Sequence, residues 1–206
     1  MPRVGLNRDR VVAVALDVVD AGGRTGFADL TLAAVASEAG VSTPSLYKHV
    51  ASLADLRREV AVHAVGELVR TTSRATVGRS GPDAIRSLGH AMRDYATVHP
   101  GRYAALQVAA DPDDPADAAL ATVGAEAVAV LAAVLRGAGA PDDHLVDAVR
   151  IFRSAVHGFV TLELDLGFRL PEDLDTTFDT LLDVVILGLA AVNTAQGDLS
   201  PSGAPS

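Results

Sequence analysis

The stretch from Thr31 to Val50 reads TLAAVASEAGVSTPSLYKHV. Thr31 can cap a helix whose apolar face is Leu32, Val35, Ala36 and Ala39. Gly40 then stops that helix after about two turns and suits a turn position that needs positive φ. Ser42 can cap a second helix, Thr43 to Val50, with Pro44 tolerated in its first turn. Hydrophobic staples support these starts and that of an earlier helix, pairing Leu30 with Val35, Val41 with Leu46, and Leu6 with Val11. Two short helices joined by a glycine-containing turn form a helix-turn-helix pattern.

The second of these helices is two-faced. At about 100° per residue, Leu46 and Val50 fall together and point inward, while Pro44, Ser45 and Lys48 lie opposite and Tyr47 and His49 flank them. A lysine can donate to guanine O6 and N7, a serine hydroxyl can donate or accept, and an apolar group can meet a thymine methyl. Tyrosine and histidine edges suit phosphate oxygens. The free amides at the starts of this helix and the next can also meet phosphate. The candidate DNA-binding set is Thr31, Ser42, Thr43, Pro44, Ser45, Tyr47, Lys48 and His49. Read without further context, the same pattern also describes a small bundle with a solvated polar face.

Outward from this segment the pattern stays helical, and no convincing strand or internal repeat is read. Asn7 can cap a first helix carrying Val12, Ala15, Leu16 and Val19, which stops at Gly22-Gly23. Ser52 can cap a long fourth helix toward Thr72, with Asp55 where a capping-box acid belongs. Helices are then expected to about Val98, to about Ala110, and over roughly 116–136, 142–166 and 172–194. The fold class is all-α: an N-terminal helix-turn-helix domain of three helices over 1–52, a helical bundle over 53–195, and a Gly/Ser/Pro-rich tail over 196–206 expected to be disordered.

Composition bounds the function. The 206 residues are 49% hydrophobic and 21% charged, which is globular, and there is no cysteine for a disulfide, a thiolate metal site or a thiol nucleophile. The net charge of −9 argues against non-specific coating of nucleic acid. That charge is unevenly placed. Up to residue 60, Arg3, Arg8, Arg10, Arg24, Lys48, Arg57 and Arg58 balance Asp9, Asp17, Asp20, Asp29, Glu38, Asp55 and Glu59, so the rest of the chain carries the whole excess. Lys48 is the sole lysine. No basic-then-apolar start is present, which predicts no signal peptide. The longest strongly apolar run, Val184 to Val192, falls short of the roughly 20 residues of a spanning helix. The expectation is a soluble, cytoplasmic chain with no membrane partner.

Ala36, Ala39, Gly40, Val41, Leu46, Tyr47, His49 and Val50 match the signature of the TetR (tetracycline-repressor-like) family of transcriptional regulators, which residues 7–60 resemble. In that family the pattern runs alanine-x-x-alanine-glycine-valine, then leucine-tyrosine-x-histidine and a bulky apolar residue. Many members also carry a phosphate-contacting lysine at the start of the fourth helix, and Leu53 stands there in this chain. Ser52, Arg57 or an N-terminal arm with Arg3 and Arg8 could substitute; Arg57 and Arg58 read equally well as solvated surface residues. Residues 153–163 resemble a C-terminal subclass marked by tryptophan and then His-Gly; His157-Gly158 is present and the tryptophan is absent.

The resemblance implies a dimeric regulator of double-stranded operator DNA. Its C-terminal helices would bind a small apolar inducer and a second copy of the chain. Met92, Tyr95, Tyr103, Leu106, Phe152 and His157 are the pocket candidates, each of which also reads as ordinary core. The last two long helices are the expected dimer interface, with Phe159, Leu181, Val185, Gly188 and Leu189 named for it. The final helix is apolar nearly all round and must be buried, against a partner or within one subunit. The acidic run Asp111, Asp113, Asp114 and Asp117 reads as a solvated loop without calcium-loop spacing. No cofactor, metal ligand set or catalytic motif is read, so an enzyme is not expected. The rival reading is a helical ligand-binding or interaction protein that does not read DNA.

Overall fold

The computed structural model describes residues 6–197, which contain nine α-helices and no strand. In chain order these are α1 (Arg8–Ala21), α2 (Leu32–Glu38), α3 (Thr43–Leu46), α4 (Leu53–Thr76), α5 (Gly81–Val98), α6 (Pro100–Ala105), α7 (Ala118–Gly137), α8 (Leu145–Leu164) and α9 (Leu174–Gly197). Two expected features lie outside the described residues: Arg3 of the N-terminal arm, and the tail beyond Gly197.

The helix starts follow from their caps. Asn7 Oδ1 accepts from the Arg10 amide at 2.8 Å, and Thr31 Oγ1 from Ala34 at 3.1 Å. Ser52 Oγ accepts from the Asp55 amide at 3.0 Å, while the Asp55 carboxylate reaches back to the Ala51 amide at 2.9 Å. That is a capping box with its return bond moved one residue upstream. Ser42 departs from the expectation: its side chain does not cap α3, and its hydroxyl lies 2.9 Å from that of Ser45.

Two helices stop earlier than their patterns suggest. The regular part of α3 ends at Leu46 rather than Val50, because the His49 amide bonds three residues back to the Leu46 carbonyl at 2.8 Å and tightens the chain into turns. Likewise α6 ends at Ala105 rather than near Ala110, where Leu106 and Val108 bond to Tyr103 and Ala105.

The chain forms two compact units, which do not divide at residue 52. The first comprises the described residues up to Arg70 together with Asp94–Ala127; the second comprises Thr71–Arg93 and the described residues from Val128 onward. The division falls inside α4, α5 and α7, because long helices run through the boundary instead of stopping at it.

In the first unit, Val11, Ala15, Val19, Leu30, Val35, Leu46, Val50, Leu56 and Val60 are buried in one core that also takes in Ala105 of α6 and Leu120 of α7. Around its edge, Arg102 of α6 bridges two carboxylates. Nε and Nη2 donate to Asp20 at 3.0 and 2.6 Å, and Nη1 donates to Glu67 at 2.8 Å. Beside it, Gly101 lies so close to the end of α1 that an added Cβ would sit 2.6 Å from the Val19 carbonyl oxygen and 2.7 Å from that of Gly23.

In the second unit, Ile85, Leu88, Leu135, Phe152, Val156, Val160, Phe178 and Leu182 are buried. Arg93 is buried with them, over the rings of Phe159 and Phe178 at 5.5 and 5.0 Å. Its guanidinium is bidentate to Glu163 at 2.8 and 2.6 Å and lies 2.8 Å from Asp175. These bonds, that to Glu163 foremost, hold its protonated form more tightly than usual. The ring faces and the paired carboxylates together satisfy what would otherwise be a costly buried charge.

One helix corrects the expectation about apolar length. Pro115–Gly137 is long and apolar enough to cross a membrane by length and composition alone, and little of its most apolar stretch is buried. Alanines interspersed with Val and Leu hide it from a search for bulky runs, and Glu126 interrupts it at its middle.

Gly101→Ala is expected to destabilise the protein by about 1–3 kcal/mol, because backbone atoms must move to admit the methyl group. Gly124→Ala, where nothing lies within 4 Å of the new Cβ, is expected to stabilise by about 0.5–1 kcal/mol. Chemical denaturation of both variants checks the pair of opposite signs.

Candidate nucleic-acid interface

The turn between α2 and α3 is built by Gly40. Its φ is 66°, and α2 closes on it with a bond from the Val41 amide to the Ala36 carbonyl at 3.0 Å and another from Gly40 to Ser37 at 3.1 Å. This is the Schellman arrangement, which a side chain at Gly40 would strain. It delivers α3 with Leu46 completely buried and Val50 almost so. Tyr47 is 58% exposed, and Ser42, Pro44 and Lys48 are exposed with it. Thr43, Ser45 and His49 are half-buried. Thr31 is exposed, its hydroxyl oxygen accepting from the first turn of α2.

The arginines around this face are used inside the protein. Arg57 Nη2 donates to the carbonyls of Ala28 and Leu30 at 2.7 and 3.3 Å, with its guanidinium 6.0 Å from the Phe27 ring. Arg58 is paired with Asp117, and with Asp114 at 3.0 Å. Neither is the solvated residue that its sequence position also allowed. Arg8 is bound to Asp55, Glu59 and the His49 carbonyl. Leu53, in the place of the common lysine, is half-buried against the core of the first unit.

The acidic run is solvated only in part: Asp111 and Asp113 are exposed, while Asp114 and Asp117 turn to the protein. Asp117 is only 7% exposed and accepts from the Asp111 amide at 2.7 Å as well as from Arg58. The Asp111 amide, then Arg58, hold its carboxyl below the usual range. Asp114 caps the Ala116 amide at 2.9 Å, and Asp111 accepts from Asp113 at 2.9 Å. The run is a receptor for Arg58, a pairing that a sequence separation of 59 residues conceals.

The six pocket candidates divide evenly between the two units. Tyr95, Tyr103 and Leu106 belong to the first and Met92, Phe152 and His157 to the second. Tyr95 is buried and donates to the Ala64 carbonyl and to Glu67, both at 3.2 Å. Burial, then the Glu67 charge, push its phenol pKa upward. Tyr103, Met92 and Phe152 are buried, and Leu106 packs against the first unit's core. His157 is half-buried; burial and the nearby Arg153 charge lower its pKa.

Of the residues named for a dimer interface, Phe159 and Val185 are buried within their own unit and present little surface to a partner. Leu181 and Leu189 are half-buried and Gly188 is exposed. The outward side of α9 is instead Thr177, Thr180, Val184, Leu187 and Ala191, spaced alternately by three and four residues. Val184 is 60% and Leu187 69% exposed. The two threonine hydroxyls donate back to the Asp173 and Thr176 carbonyls at 2.9 Å. That satisfies them without a partner. On α8, Ile151, Ser154, Gly158 and Leu162 are exposed at the same kind of spacing.

Two family models match the chain. "Bacterial regulatory proteins, tetR family" covers residues 23–60, and "Tetracyclin repressor-like, C-terminal domain" covers residues 85–185. The chain is 38% identical over 187 residues to the uncharacterized HTH-type transcriptional regulator Rv0681 of Mycobacterium tuberculosis, covering 90% of this chain and 81% of that one. It is 30% identical to the uncharacterized HTH-type transcriptional regulator YobS of Bacillus subtilis, covering 93% and 97%. Among solved structures it resembles BioQ with its natural double-stranded DNA operator, with a TM-score of 0.63 and 28% identity over 91% of this chain and 99% of that one. These families and relatives are transcriptional regulators rather than enzymes.

Tyr47→Ala and Lys48→Ala are expected to change stability by less than about 0.5 kcal/mol, since both side chains are exposed. Leu46→Ala is expected to cost about 2–5 kcal/mol. Thermal and denaturant melts separate the outward face from its anchor.

Proposed function

The chain belongs to the TetR family of DNA-binding helix-turn-helix regulators, and from that premise we propose that it is a cytoplasmic repressor that binds a palindromic operator as a homodimer and is released by a small apolar molecule. The observation that carries the reading is the face of α3 and its following turn, where Pro44, Tyr47 and Lys48 stand outward while Leu46 and Val50 are buried. Two such faces, related by a twofold axis, would enter successive major grooves about 34–36 Å apart. Residues Thr31, Ser42, Thr43, Ser45 and His49 complete the face, with hydroxyls and an imidazole edge for bases and phosphate.

The dimer is supported by the outward seams of α8 and α9. Exposed residues recurring every three or four positions, strictly alternating on α9, give two helices a face to pack along their length, and Gly158 and Gly188 have open space where their side chains would be. The residues offered for the inducer are Met92, Phe152 and His157 within the second unit and, separately, Tyr95, Tyr103 and Leu106 within the first. Release requires the inducer to bind more tightly to a dimer whose reading faces are mis-spaced, a shift in population set by that difference in affinity.

A gel shift with upstream intergenic DNA tests the reading. A sequence-specific band is expected at moderate salt, and its absence would favour the helical interaction protein that does not read DNA. Lys48→Ala should cost about 1–3 kcal/mol of binding and relax specificity at one base position if Lys48 reads a base. Leu187→Glu, at an exposed position of one chain, should leave the fold intact and shift the sedimenting species from dimer to monomer.

A further inference from the structure

Arg8 is on the first turn of α1, yet its guanidinium bonds to residues 41 to 51 positions away. Nη1 donates to the His49 carbonyl at 3.0 Å and to Asp55 Oδ2 at 3.1 Å. Nη2 donates to Asp55 Oδ1 at 2.9 Å and to Glu59 Oε1 at 2.7 Å. A guanidinium has four terminal N–H groups, and these four bonds occupy them. Asp55 is itself fixed by the Ala51 amide and, through its own amide, by Ser52. The carbonyl that Arg8 holds belongs to the residue directly after Lys48, in the turns that follow the single regular turn of α3.

We infer that Arg8 is a positioning residue for DNA reading: it ties the end of the reading segment at His49 to α1 and to the first turns of α4, and it does not itself contact phosphate. A phosphate contact through its terminal nitrogens would require it to leave two carboxylates, Asp55 and Glu59, uncompensated at the start of α4 and to release the His49 carbonyl. Lysine is a poor substitute, because an ammonium cannot present the planar fork that is bidentate to Asp55 while also reaching His49 and Glu59. The inference rests on the DNA-reading function and adds the residue that sets its geometry.

The test measures affinity for duplexes that the wild-type protein enriches from a random library, and for a scrambled duplex, across a range of salt. Arg8→Ala is expected to lower specific affinity about tenfold or more, with affinity for the scrambled duplex and the salt slope little changed. Arg8→Lys is expected to fall between, and it carries the test should Arg8→Ala fail to fold. Glu59→Gln, which keeps the His49 and Asp55 bonds, should bind nearly as wild type.

A proportional loss on both duplexes with a salt slope smaller by about one would make Arg8 a phosphate contact and overturn the inference. So would a loss that disappears at high salt, which would mark simple shielding of Asp55 and Glu59. So would unchanged binding beside a lowered melting temperature, which would mark a purely structural role. A wild-type protein that enriches no sequence overturns the operator reading and this inference together, whereas enrichment with unaffected Arg8 variants overturns this inference alone.

Discussion

A single regular turn of helix cannot hold its shape in water, since nucleation costs more than one turn of hydrogen bonds returns. The segment proposed to read DNA begins with such a turn, Thr43–Leu46. Its conformation therefore has to be imposed from outside. Gly40 sets the angle at which the chain enters, Leu46 and Val50 bury the inner side, and Arg8 takes the exit carbonyl at His49. The helices α1, α2 and α4 serve this constraint, because their residues share the core in which Leu46 and Val50 are buried.

The same demand explains where the positive charge goes. Arg8, Arg57, Arg58 and Arg102 would suggest a basic surface from the sequence, but each is turned to carbonyls or carboxylates of the first unit. The exposed Lys48 is left on the outward face. With the rest of the chain acidic, little non-specific attraction to phosphate is built in, which under the proposed function leaves discrimination to base contacts and to geometry.

What could be read in the sequence was what is local. The Asn7, Thr31 and Ser52 caps, the Gly40 turn and the inward side of α3 depend on residues within a few positions of each other, and they appear as expected. What could not be read depends on distant partners. Nothing near Arg58 announces Asp117, and nothing near Arg8 announces His49. The ends of α3 and α6 were overrun because apolar spacing continues past the residue where three-residue bonds replace four-residue ones. For α9 the periodicity was too apolar to show a preferred side; the packing of Phe178, Leu182 and Val185 into the second unit decides that Thr177, Val184 and Leu187 face outward.

The seating of α6 bears on how such proteins can be recombined. A reading head is naturally taken to end near residue 52, and a chimera would be spliced there. In this chain the splice would divide α1 from the helix that braces it: Arg102 would lose Asp20, and Gly101 would meet a foreign surface in place of Val19 and Gly23. The first unit is also discontinuous in sequence, so no single junction transfers it whole. A working graft must carry the 94–127 segment along with the N-terminal helices, or rebuild the α1–α6 seam in the recipient. Sequence drift is under the same restriction, since substitutions at the end of α1 have to be matched in α6.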